Sequence, residues 1–147
     1  MIARQVDFPP VWLAGFAALG GGIGLLRPVL FGYSYELGGM LIVLALIVMA
    51  VAVVQMLARR TTIMPHQSPS RIVSGGIFRF SRNPIYLADA VLLTGLYIYW
   101  GALIALPLVA VFMVVIKRRF IVPEEHLMLR KFGTEYRAYA ARTRRWL

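Results

Sequence analysis

The chain has 147 residues, 60% of them hydrophobic, with mean hydropathy +0.73, a net charge of +10 and no cysteine. Soluble domains are roughly 45–50% apolar, so most of this chain is built for lipid. The missing cysteine excludes disulfides, Fe–S clusters, thiolate zinc sites and cysteine nucleophiles, and two histidines, His66 and His126, make no metal site.

Four apolar stretches follow one another: Phe8 to Leu26, Leu37 to Ala58, Ile85 to Trp100 and Ala102 to Ile116. About 20 helical residues cross a bilayer core. The first two stretches reach that length. Gly20, Gly21 and Gly22 interrupt the first, which argues against a cleaved signal peptide and for a retained helix that lets a neighbour approach closely. The third and fourth are shorter and are divided only by a tight turn, so they predict a helical hairpin. Tyr97, Tyr99 and Trp100 are placed at its tip as an interfacial aromatic belt.

The positive charges sort with these spans rather than into a nucleic-acid surface. Arg59, Arg60, Arg71, Arg79 and Arg82 lie between the second and third stretches, and nine more lysines and arginines, from Lys117 to Arg145, follow the fourth. The first connection has only Arg27, and the hairpin tip has none. Basic loops stay on the cytoplasmic side. The expected architecture is therefore an all-α integral membrane protein with four transmembrane helices. Both termini and the 59–84 loop face the cytoplasm. A single domain is expected over 1–147, with two N-terminal spans in 1–58 and a core in 59–147.

Residues 61–83 contain two prolines, Gly75-Gly76 and many small polar residues, yet keep Ile72, Val73, Ile77, Phe78 and Phe80 for burial. That composition predicts an ordered loop, and ordered loops of this length are usually functional. Asn83-Pro84 then opens a helix, an asparagine cap before a proline at the first helical position. Tyr86 and Asp89 follow at three-residue spacing on one face. Asp89 is the one acidic residue in a predicted span, and it either pairs with a loop arginine or serves function. After the fourth stretch, Pro123 opens a helix with Glu124 and Glu125 in its first turn, complementing the helix dipole. Gly133 is expected to end that helix. Tyr136 and Tyr139, ringed by arginines, predict an amphipathic helix lying on anionic lipid.

Taken in order, these pieces resemble a known family. Gly76-Ile77-Phe78, Arg82-Asn83-Pro84-Ile85-Tyr86, the pair Glu124-Glu125 followed by Leu127-Met128-Leu129, and Phe132-Gly133 with Tyr136 and Tyr139 are similar to the motifs of the isoprenylcysteine carboxyl methyltransferase and phospholipid N-methyltransferase group. The resemblance covers residues 61–147. It implies S-adenosylmethionine as cofactor at the cytoplasmic face and methyl transfer to a lipophilic acceptor entering from the bilayer. By position it places Ser70, Arg71, Ile72, Val73 and Phe78 along the cofactor site. Asn83, Pro84, Ile85, Tyr86, Glu124 and Glu125 would hold the cofactor. For catalysis, Arg82 or Arg119 would position a carboxylate acceptor, and Asp89 or Glu125 would take the proton of an amine acceptor. Asn83, common among bacterial members, implies an inner-membrane enzyme. The acceptor-side arginine of the family, four residues before the first glutamate, is Phe120 here, with Arg119 beside it. Two readings from other classes fit the size: a small four-helix multidrug transporter, and an inactive membrane scaffold.

Overall fold

The computed structural model describes residues 8–60 and 71–147, and every element in them is helical. Ser70 and the rest of 61–70 lie outside the described residues. Pro9 and Pro10 start α1 (Pro9–Leu26) without loss, because the first helical N–H groups have no partner in the helix. α2 (Ser34–Ala58) begins earlier than its apolar run suggests. Ser34 is buried and its Oγ accepts the Phe31 N–H at 2.8 Å, which closes a turn ahead of the helix.

These two helices are long and apolar enough to cross a membrane. α2 is apolar on all sides, and Met40, Val54 and Leu57 are each more than half exposed. A helix apolar all round that leaves such side chains uncovered is suited to lipid rather than water. The other two expected spans are shorter. α3 (Pro84–Tyr99) has 16 residues, about 24 Å of helix. The stretch Ala102–Ile116 is not one helix. A 3₁₀ turn at Leu103–Ala105 precedes α4 (Pro107–Ile116), because Pro107 fits at a helix start but not in its interior. The described residues thus hold two helices of spanning length, not four.

The chain does not leave the helix after Ile116. Lys117–Ile121 adopts a π turn that leads straight into α5 (Val122–Arg142). Pro123 explains the widening: it has no N–H to donate, and its ring collides with the carbonyl four residues earlier in regular α geometry. Gly133 ends the first helical stretch of α5 as expected, with φ 49° and ψ −114° that only glycine tolerates well, and a second stretch follows it to Arg142.

The described chain groups into two units. The first contains α1, the part of α2 up to Leu46, α3 from Asp89 onward, and α4. Tyr97 is fully buried there, and its hydroxyl donates to the Phe16 carbonyl at 2.6 Å. A Cβ on Gly20 would enter the Tyr97 ring, so the absence of a side chain at 20 makes room for it. Tyr97 is therefore an interior bracket between helices and not part of an aromatic belt. Tyr99 and Trp100 remain partly exposed. Phe16 meets Phe112 edge to face at 5.5 Å, joining α1 to α4. Asp89 is buried in this unit, and no arginine pairs with it among the described residues.

The second unit contains α2 from Ile47, the described residues up to Ala88, the π turn, α5 and the segment 143–147. Tyr136 and Tyr139 are buried in it, so the face expected on lipid packs inside the protein.

Candidate functional site

The second unit is organised around the short strip Ser81-Arg82-Asn83. Before it, a 3₁₀ turn (Gly76–Arg79) begins at Gly76 with φ +57°, in the left-handed region. Gln55 near the end of α2 accepts the Ile77 N–H through Oε1 at 3.1 Å, and a Cβ on Gly76 would displace that amide. Phe78 is buried, and its carbonyl accepts the Tyr139 hydroxyl at 2.8 Å. Burial raises the Tyr139 phenol well above its usual range, so it stays a donor. The turn is thus held by α2 on one side and α5 on the other.

Ser81 is buried and its Oγ accepts the Asn83 N–H at 3.1 Å, directing the chain into α3. The Asn83 carbonyl accepts from Leu87 at 3.0 Å, the first helical bond, and Pro84 fills the first turn. Two residues later Tyr86 is buried against Phe120, their ring centroids 6.4 Å apart. The Tyr86 hydroxyl donates to Glu124 Oε1 at 2.8 Å. Phe120, the departure from the family motif, is fully buried and forms part of the wall around that phenol.

The two neighbouring glutamates stand in opposite surroundings. Glu125 faces two guanidiniums. Arg145 donates to it as a fork, Nε to Oε1 at 2.9 Å and Nη2 to Oε2 at 2.7 Å. Arg82 approaches Oε1 at 3.3 Å. Glu124 has no cation among the described residues, only the Tyr86 hydroxyl. Burial pushes the Glu124 carboxyl up to about 7, the Tyr86 bond pulls it back, and the Glu125 charge adds to the rise. Arg82 keeps its Nε buried and without a hydrogen-bond partner among the described residues. The Tyr136 phenol sits near both Arg82 and Glu125 and is raised chiefly by burial.

The arrangement therefore offers one uncompensated carboxyl and one guanidinium N–H with no acceptor. That combination suits a ligand carrying both a positive and a negative group.

The structure brings Phe78, Arg82, Asn83, Pro84, Ile85, Tyr86, Glu124 and Glu125 into one unit, in which a hydrogen bond joins Tyr86 to Glu124 and an ion pair joins Arg82 to Glu125. Ile72 and Val73 are half-buried in the same unit, while Arg71 and Arg119 are exposed. Asp89 belongs to the other unit. Ser81, Gln55 and Arg145 take part without having been singled out in the sequence. Nothing marks Arg145 among its neighbours Arg142 and Arg144, and Gln55 is one polar residue near the end of an apolar helix.

The sequence model of the phospholipid methyltransferase family matches residues 33–135, which takes in α2, α3, α4, both glutamates and the strip 81–83. The chain belongs to that family, a family of membrane methyltransferases. No curated protein and no solved structure matches the chain. The family, with two helices of spanning length, makes this a membrane protein, and the transporter and scaffold readings find no support.

Proposed function

We propose that the chain transfers a methyl group from S-adenosylmethionine to a lipophilic acceptor at the cytoplasmic face of the membrane. One observation carries the reading: Glu124, buried and bound to Tyr86, has no cation of its own. A ligand ammonium would supply the missing charge, and the unpartnered Arg82 Nε would receive the ligand carboxylate. The residues fit the methyl donor on both counts.

The bound donor supplies a methyl group already activated on its sulfonium. The protein's part is to hold donor and acceptor in line and to exclude water. Tyr86 and Phe120 supply an apolar wall, Asn83 and Pro84 fix the start of α3, and Ile72 and Val73 line the approach. The family's description favours a phospholipid amine as acceptor over a prenylated carboxylate. Phe120 at the acceptor-side arginine position agrees with that preference, and Arg119 on the exposed side of the π turn would meet the lipid headgroup. In this reading α3 and α4 complete a four-span topology with both termini inside. The exposed basic residues of Lys117–Arg119 then lie on anionic lipid.

Isothermal titration of the detergent-purified protein with S-adenosylhomocysteine tests the donor. Absence of binding would remove the main support of this reading. Labelled methyl groups supplied to cells with and without the protein identify the acceptor by the lipid that gains the label.

A further inference from the structure

The segment 143–147, after α5, does more than trail along a surface. Thr143 is buried. The Arg144 carbonyl accepts the Arg82 N–H at 2.9 Å. The Arg145 carbonyl accepts Asn83 Nδ2 at 3.0 Å and Ser81 Oγ at 3.4 Å. The Arg145 guanidinium forks onto Glu125. All three residues of the strip are thus tied to two consecutive peptide units of one short segment. These residues also lie beyond the 33–135 matched by the family.

The charges explain why this matters to the site. Glu125 is shared unequally: Arg145 takes both oxygens at short distance, while Arg82 has one contact at 3.3 Å. A carboxylate already satisfied by a fork holds a second arginine loosely. With Arg145 removed, Glu125 would draw Arg82 into that fork and engage the Nε that now has no partner. The Arg144 and Arg145 carbonyls are backbone and stay on the strip when the Arg145 side chain is replaced, so the charge effect is read on its own.

We propose that Arg145 is a positioning residue of the methyl-donor site, acting through Glu125 to keep Arg82 and the strip 81–83 in the donor-receiving arrangement. This rests on the donor reading above and extends it to a residue outside the family match. Arg145 does not touch the donor.

The test is a double-mutant cycle on the full chain in detergent, read by S-adenosylhomocysteine affinity. Arg145→Met weakens binding about tenfold, whereas in a Glu125→Gln background the same change costs less than about twofold. Arg145→Lys, which keeps the charge but cannot fork onto the carboxylate, recovers only part of the loss. Wild-type protein that binds with Arg145→Met equal to it overturns the proposal and leaves the donor reading intact. Wild-type protein that does not bind overturns both. Should Arg145→Met lack a cooperative melting transition, Glu125→Gln/Arg145→Met decides, because neither Glu125 nor Arg145 then carries a charge without its partner and Arg82 has lost Glu125 in both members of the comparison. Affinity matching Glu125→Gln alone supports the proposal, and a further large loss overturns it.

Discussion

The Tyr86 hydroxyl donates to Glu124 Oε1 at 2.8 Å across 38 residues of sequence, joining the start of α3 to the start of α5. It is the only hydrogen bond or charge contact on Glu124 among the described residues. Removing it with Tyr86→Phe costs about 1 kcal/mol of stability. Because the bond favours the ionised carboxylate, the variant also raises the Glu124 pKa further. Carboxyl infrared bands followed against pH would record that upward move, and a downward move would contradict the geometry.

Glu124 makes the fold pH-dependent in a definite direction. Its pKa is about 7 in the folded protein, against an ordinary value of 4.5. Between those values the folded protein keeps a proton that the unfolded chain has released. The stabilisation is complete below 4.5 and is lost as pH rises through 7. Glu124→Gln keeps an acceptor for Tyr86 but carries no charge. Its stability should match wild type at pH 4.5 and exceed it at pH 8 by up to about 3 kcal/mol, followed by thermal melting at the two pH values.

The same substitution separates stability from binding. If Glu124 receives the cationic end of the methyl donor, Glu124→Gln loses affinity for S-adenosylhomocysteine by about 2 kcal/mol or more while gaining thermal stability. Wild-type affinity should rise with pH as the carboxyl ionises and level off above pH 8. Unchanged affinity in the glutamine variant would refute this role for Glu124.

In the first unit, Gly20→Ala places a methyl group inside the Tyr97 ring, which is fully buried and tied to Phe16. A rigid aromatic cannot step aside cheaply, so the cost is about 1–3 kcal/mol. Urea or thermal unfolding in detergent measures it. Gly22→Ala serves as the control, since a Cβ there meets nothing within 4 Å.

Gly76→Ala combines two penalties, the positive φ and the collision with the Gln55 amide. Together they cost about 2 kcal/mol. Gln55→Leu should loosen the same turn, seen as faster amide exchange at Ile77, whose N–H it now receives.

Local signals in the sequence carry the helices and the pairing of the 82–86 strip with the two glutamates. Leu37–Ala58 is apolar throughout, and Asn83-Pro84 and Pro123-Glu124-Glu125 are helix-start chemistry. What escapes depends on distant partners or on geometry that apolar runs do not encode. Tyr97 reads as an interfacial aromatic until Gly20, far away in sequence, provides its space. Ala102–Ile116 reads as one span because a 3₁₀ turn and an α-helix share the same residue types, and Pro107 is the only local sign of the break. Tyr136 and Tyr139 look amphipathic with their arginines, and only the Phe78 carbonyl shows which side is covered.

The widened turn at Lys117–Ile121 sets the angular register of everything after it. Winding those five residues at ordinary α pitch, with none removed, would swing the carboxyl pair by roughly a quarter turn around the axis. Glu124 would then point away from the Tyr86 phenol without any change to either side chain. The rotational phase of two adjacent glutamates is thus governed by the proline that directly precedes them.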